Sequence, residues 1–233
     1  MSGVMRFWHS TIGKKVVMAV TGLIGVGFVI GHMTGNLLMF KGEDAMYHYA
    51  MLLRTSMPLL YTVRGVLLVS VILHIVSAYQ LTQLARKARP QDYVQRKPQV
   101  TTWAARTIRW GGVLLLLFIV LHIMQITLGV SFLQPQFTHL DPYNNLRAAF
   151  ANPIWLTFYL LAMGALALHL YHGTWAAVRT LGVSRPSTAP LKRRIALVLA
   201  IVVAAGFALI PIAAAFGAFP EAPSAAQAAG EAH

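Results

Sequence analysis

The sequence predicts an all-α membrane protein of five transmembrane helices, with the N-terminus inside and the C-terminus outside. Three observations predict it. The 233-residue chain is 57% hydrophobic and only 11% charged, with a mean hydropathy of +0.62, which is unlike an ordinary soluble domain. Its apolar residues gather in five runs, each long enough to cross about 30 Å of hydrocarbon as a helix that satisfies its own backbone. Its charges sit between the runs, and fifteen of the nineteen Lys and Arg fall in segments that the alternation places on one side. That excess marks the cytoplasmic face.

The first fifteen residues are basic and carry Trp8, suited to the headgroup layer, ahead of an apolar run too long for a cleaved leader. Span one is expected over 15–40. Residues 41–57 mix acids with apolar side chains and read as a short helix along the interface. Pro58 suits the first turn of span two, 58–84. The next loop carries seven Lys and Arg against one acid, Asp92. Span three is expected over 110–132, followed by a loop that ends in Asn152-Pro153, a cap and first-turn pair for span four, 153–178. Span five covers 195–219. Residues 1–219 thus form one transmembrane domain, and the Ala-rich segment 220–233 is expected to be disordered.

Composition also excludes. The net charge of +13 would suit nucleic acid if it coated a soluble surface, but it is confined to loops, so no nucleic-acid role is expected. Cysteine is absent, which removes disulfides, thiolate metal sites and a cysteine nucleophile.

The chemistry-bearing pattern is four histidines in four consecutive spans: His32, His74, His122 and His172. An ionisable side chain in hydrocarbon is costly, and histidine avoids the cost by staying neutral while it ligates a metal or meets a partner. One such residue would be read as a neutral histidine bonded to a carbonyl; four in succession ask for a shared purpose. Measured along the helices from the flanking cytoplasmic charges, His32 lies roughly 25 Å and His122 roughly 20 Å up, against roughly 18 Å for His74 and 10 Å for His172. The natural couples are His32 with His122 towards the outside and His74 with His172 towards the cytoplasm. Two bis-histidine haems, one above the other, would use all four. Such haems have both axial positions filled and carry electrons. A closed zinc site needs ligands converging on one point, and these are staggered in depth.

Small neighbours support a flat cofactor. Gly25 and Gly35 share a helical face with His32, Gly129 lies near His122, and Gly173 follows His172, which favours it over His169 as the ligand on span four. His9, His48, His139 and His233 read as surface residues.

The segments GKKVVMAVTGLIGVGFVIGHMTGNLLMF, RGVLLVSVILHIVSAYQL, VLHIMQI and HLYHGTWAAVRTLG occur in the order seen in a known family. Over residues 10–185 the chain resembles the five-helix dihaem cytochrome b subunit, of b558 type, of succinate:quinone oxidoreductases. The resemblance implies two b haems, with His32 and His122 as distal and His74 and His172 as proximal ligands. It also implies a flavoprotein subunit and an iron–sulfur subunit docked on the cytoplasmic side, menaquinone or another quinone as electron acceptor, and a place in the bacterial cytoplasmic membrane. Some fumarate reductases of the family carry a glutamate two residues before the fourth ligand. Here that position is Leu170, and no Asp or Glu falls in any predicted span, which favours succinate oxidation.

Arg64 and Arg179 are candidates for pairing with haem propionates, with snorkelling to the headgroups as the competing role. Glu43, Asp44 and His48 could exchange protons with a quinone. Two other classes stay open: the cytochrome b subunit of a fumarate reductase, hydrogenase or other membrane dehydrogenase, and a haem-free transporter or helical anchor with structural histidines. Transporter spans are commonly broken by Gly or Pro and charged at the midplane; these lack midplane charges and, apart from Pro211 in span five, interior prolines.

Overall fold

A computed structural model describes residues 3–88 and 103–219. Among the described residues the protein is all helical: α1 Gly3–His9, α2 Thr11–Asn36, α3 Glu43–Leu52, α4 Met57–Lys87, α5 Trp103–His122, α6 Pro142–Ala151, α7 Pro153–Thr180 and α8 Ala189–Ala215. A 3-10 turn, Leu37–Lys41, extends α2, and a π-helical turn, Ile123–Thr127, extends α5. With those extensions, α2, α4, α5, α7 and α8 are long and apolar enough to cross a membrane. Their outward side chains agree: Leu68, Val113 and Leu161 are each more than 60% exposed, as suits helices whose solvent is lipid.

The helix ends follow local chemistry. Ser10 caps α2, accepting from the Gly13 N–H at 2.9 Å, and the buried Lys14 reaches back to the Trp8 carbonyl at 2.7 Å, which pins α1 to the start of α2. Asn152 caps α7 through the Ile154 N–H at 2.9 Å with Pro153 in the first turn, as its sequence predicts. The third long helix differs from its expected limits of 110–132. It starts at Trp103, and its helical hydrogen bonding ends by Thr127, just before Gly129 adopts a left-handed φ of 60°. The fifth is likewise displaced from 195–219: α8 starts at Ala189 and closes at Ala215, where Gly217 turns the chain at φ 72°. The loop before Asn152 contains a helix that its Pro and Asn content concealed. Asp141 caps α6 by accepting from the Asn144 N–H, and Tyr143, Leu146 and Phe150 bury one face. The expected disorder of 220–233, and most of the basic loop after α4, lie outside the described residues.

In packing, α7 is central. It lies against α8, α5 and α2, and α4 packs on the far side of α2. The tightest pair is α7 with α8, where Ala196, Ala200 and Ala204 recur every fourth residue and are buried. Small residues let helix backbones approach closely in lipid, where burial of apolar surface supplies little driving force. Gly206, two residues beyond Ala204 and so on another side of α8, faces α2, where a side chain would run into the Met33 thioether. Gly206→Leu is therefore expected to overpack the α2/α8 contact and cost about 1–3 kcal/mol. The readout is a lowered melting temperature in detergent; an unchanged one would show that Met33 simply moves aside.

Two helix pairs stay apart. Neither α2 with α5 nor α4 with α7 is among the closely packed pairs of the described residues.

Candidate functional site

Between both of these helix pairs, histidine rings meet. Across the first, His32 of α2 and His122 of α5 have ring centroids 6.0 Å apart. Across the second, His74 of α4 meets His169 of α7, also at 6.0 Å. The two couples lie at different levels. His74 docks beside Gly22 and His169 beside Gly112, and each glycine comes ten residues before the upper histidine of its helix, His32 or His122. Tyr159, beside His122, likewise comes ten residues before His169 on α7. Ten residues of α-helix span about 15 Å, which sets the separation of the levels.

The ring that meets His74 is thus that of His169, and the expected partner His172 lies further along α7. His172 lies three residues, roughly 4.5 Å, beyond the level where His74 docks, whereas His169 lies on it. The preference for His172 rested on Gly173. That glycine does face open space, but so do Gly25, Gly65, Gly111 and Gly164, so it does not single out its neighbour. The notional room beside Gly35 and Gly129 is also taken, by the Tyr49 and Phe137 rings respectively. Gly25 keeps its space.

Hydrogen bonds fix how two of the rings present themselves. His74 Nδ1 lies 3.0 Å from the Met18 carbonyl, which can only accept, so Nδ1 carries the proton. The Thr21 hydroxyl, donating to the Val17 carbonyl at 2.7 Å, offers the same Nδ1–H a second acceptor at 3.3 Å. His122 Nδ1 lies 3.0 Å from the Tyr159 hydroxyl, and that hydroxyl donates to Gln125 Oε1 at 3.0 Å. His122 therefore donates too. In both rings Nε2 is left with its lone pair, the arrangement found in metal-binding histidines whose other nitrogen is anchored. Aromatic rings complete the upper site: Phe28 stacks on His32 at 5.3 Å, Phe118 on His122 at 5.5 Å, and Phe207 of α8 lies 5.7 Å from His32. The lower site holds unspent polar capacity. His169 Nδ1, Thr174 Oγ1, Ser77 Oγ and Gln80 Oε1 are buried without a hydrogen-bond partner.

A scan against protein-family models, a search of curated proteins and a search of solved structures return no match to this chain. The site is thus read from its own geometry.

Other sequence candidates stand apart. Arg64 is exposed over the Tyr61 ring at 5.8 Å, and Arg179 is exposed over Trp175 at 5.7 Å, each a cation–π contact within its own helix. Glu43 accepts from the Asn144 amide at 3.3 Å, tying α3 to α6, while Asp44 and His48 are exposed. His9 and His139 are exposed, as expected of surface residues. Tyr159 and Gln125 escaped the sequence reading. A glutamine inside an apolar run was the available signal, because an intramembrane polar group needs a buried partner.

Proposed function

We propose that this chain is the membrane cytochrome b subunit of a succinate:quinone oxidoreductase, holding two b haems. The observation that carries the haem reading is the pair of histidine couples at equal spacing between helices that do not pack closely on each other. With an imidazole nitrogen about 2 Å from a metal and the ring centre roughly 1 Å behind, two histidines that shared one iron would have centroids about 6 Å apart. Both couples meet that distance. A bare metal ion fits less well, since no group of three or more His, Cys, Asp or Glu suited to one occurs among the described residues.

The residues fit the group. His32 and His122 would hold one haem, and His74 and His169 the other. Bound there, a bis-imidazole haem supplies single-electron transfer without an open coordination position. The chain's own part is to present Nε2 lone pairs and hold them in register, through Met18 for His74 and Tyr159 for His122. It also excludes water with Phe28, Phe118 and Phe207. Arg64 and Arg179 act at the headgroup boundary.

The assignment to succinate and quinone rests on the family resemblance of residues 10–185. Under it the basic end faces the cytoplasm of a bacterial cell and receives an iron–sulfur subunit with its flavoprotein, while the acceptor is menaquinone or another quinone. The excess of Lys and Arg at that end supports the orientation. Affinity purification of the tagged chain from native membranes tests it. Co-purifying subunits with covalent flavin, iron–sulfur clusters and succinate:quinone activity are expected. Co-purification with a hydrogenase or another dehydrogenase would keep the haems and reassign the complex.

A further inference from the structure

The upper histidine couple is wired to the loop-rich end of the protein by a line of buried side chains: Tyr159, Gln125, Gln134 and Asn145. Each is 6% exposed or less, and Gln125 is fully buried. We propose that Tyr159, Gln125 and Gln134 are positioning residues for His122, together setting the direction of its Nδ1 hydrogen bond and thereby the reduction potential of the iron it ligates.

The direction of this line is forced from its far end. Gln134 Nε2 donates to the Asn145 backbone carbonyl at 3.0 Å, and a carbonyl cannot donate in return. The amide oxygen of Gln134 therefore points at Gln125 and accepts from Nε2 at 3.3 Å. This turns Gln125 Oε1 to the Tyr159 hydroxyl, which has to donate to it. The remaining lone pair of that hydroxyl faces His122 Nδ1, which has to donate in turn. Flipping Gln134 would set its amide oxygen against the Asn145 carbonyl, and flipping Gln125 would set its oxygen against that of Gln134, acceptor against acceptor in each case.

The backbone supports the same line. Asn145 is clamped to Thr138, accepting from its N–H at 2.9 Å and donating to its carbonyl at 2.7 Å. Gln125 lies in the π-helical turn Ile123–Thr127, and such turns re-aim side chains that a regular helix would point elsewhere. The lower couple is anchored differently, by the Met18 carbonyl and the Thr21 hydroxyl for His74, with no residue in common with this line.

An acceptor on Nδ1–H makes Nε2 a better electron donor and favours the oxidised metal, so its removal favours the reduced form. The inference rests on the two-haem reading, and the experiment separates the two. Redox titration of the reduced-minus-oxidised spectrum is carried out on membranes holding the full-length chain with its partners, for wild type, Tyr159→Phe and Gln134→Leu. Tyr159→Phe keeps the ring against Phe118 and Phe150 and removes only the hydroxyl. One of the two haem components is expected to titrate at higher potential, with about tenfold weaker haem retention, and the other to stay in place. Gln134→Leu, which touches neither His122 nor Tyr159, is expected to move the same component in the same direction by less. Two haems with both potentials unmoved, or both moved equally, overturn the positioning role and leave the two-haem reading standing. Absence of haem from the wild-type protein overturns that reading and the inference with it. Should Tyr159→Phe fail to accumulate, Gln134→Leu decides alone, an unmoved potential overturning the proposal.

Discussion

His122→Ala is expected to remove one of two b haems, and with it about half of the reduced-minus-oxidised absorbance, while the other haem keeps its spectrum. The effect is large because a bis-imidazole site has no spare ligand. His32 is bordered by Phe28 and Phe207, neither of which can replace a nitrogen. His74→Ala is expected to remove the complementary half, and the double variant both. The independence follows from the 15 Å that ten helical residues put between the levels. The helices should survive, because the α7/α8 contact, where Ala196, Ala200 and Ala204 are buried, includes no histidine of either couple. Helical circular dichroism with haem content per chain checks both halves. Identical loss of all absorbance in each single variant would mean that the histidines share one site.

His169→Ala is expected to abolish the lower haem and His172→Ala to leave it in place. The prediction separates structure from resemblance, since the family pattern puts the ligand on the histidine next to glycine. The structure puts the His169 ring 6.0 Å from His74 and beside Gly112. On an α-helix, three residues displace a side chain by roughly 4.5 Å along the axis and turn it by about 60°. His172 could replace His169 only if α7 moved by most of a turn against α2 and α5. Its packed neighbours Ala162, Met163, Leu170 and Ala177 oppose that shift. Haem quantitation on each variant decides: loss in His172→Ala with retention in His169→Ala would return the ligand to the position the resemblance implies.

The five long helices were legible because each is an apolar run bounded by charge or by a cap such as Asn152-Pro153, signals that act over a few residues. The nearness of the His32 and His122 rings was legible too, since both depths could be counted from flanking charges. The partner of His74 was not, because a count from loop charges carries an error of about one helical turn, and His169 and His172 differ by less than that. Only neighbours on other helices, Gly22 and Gly112, fix the level. Helix α6 was hidden by Pro142 and two asparagines, which mark turns when read alone but here form a capped first turn over an apolar face. The Tyr159–Gln125–Gln134–Asn145 line was out of reach. It joins positions far apart in the chain and depends on a π-helical turn that no local pattern announces. Room beside Gly35 and Gly129 was misjudged for a related reason, since Tyr49 and Phe137 arrive from neighbouring loop-side segments.

The most direct measurement is the ratio of b haem to polypeptide in the purified full-length protein, taken with the ligand field of its oxidised form. Two haems per chain, both six-coordinate with histidine on either side, are the predicted result. One haem, five-coordinate iron open to exogenous ligands, or a colourless protein would contradict it.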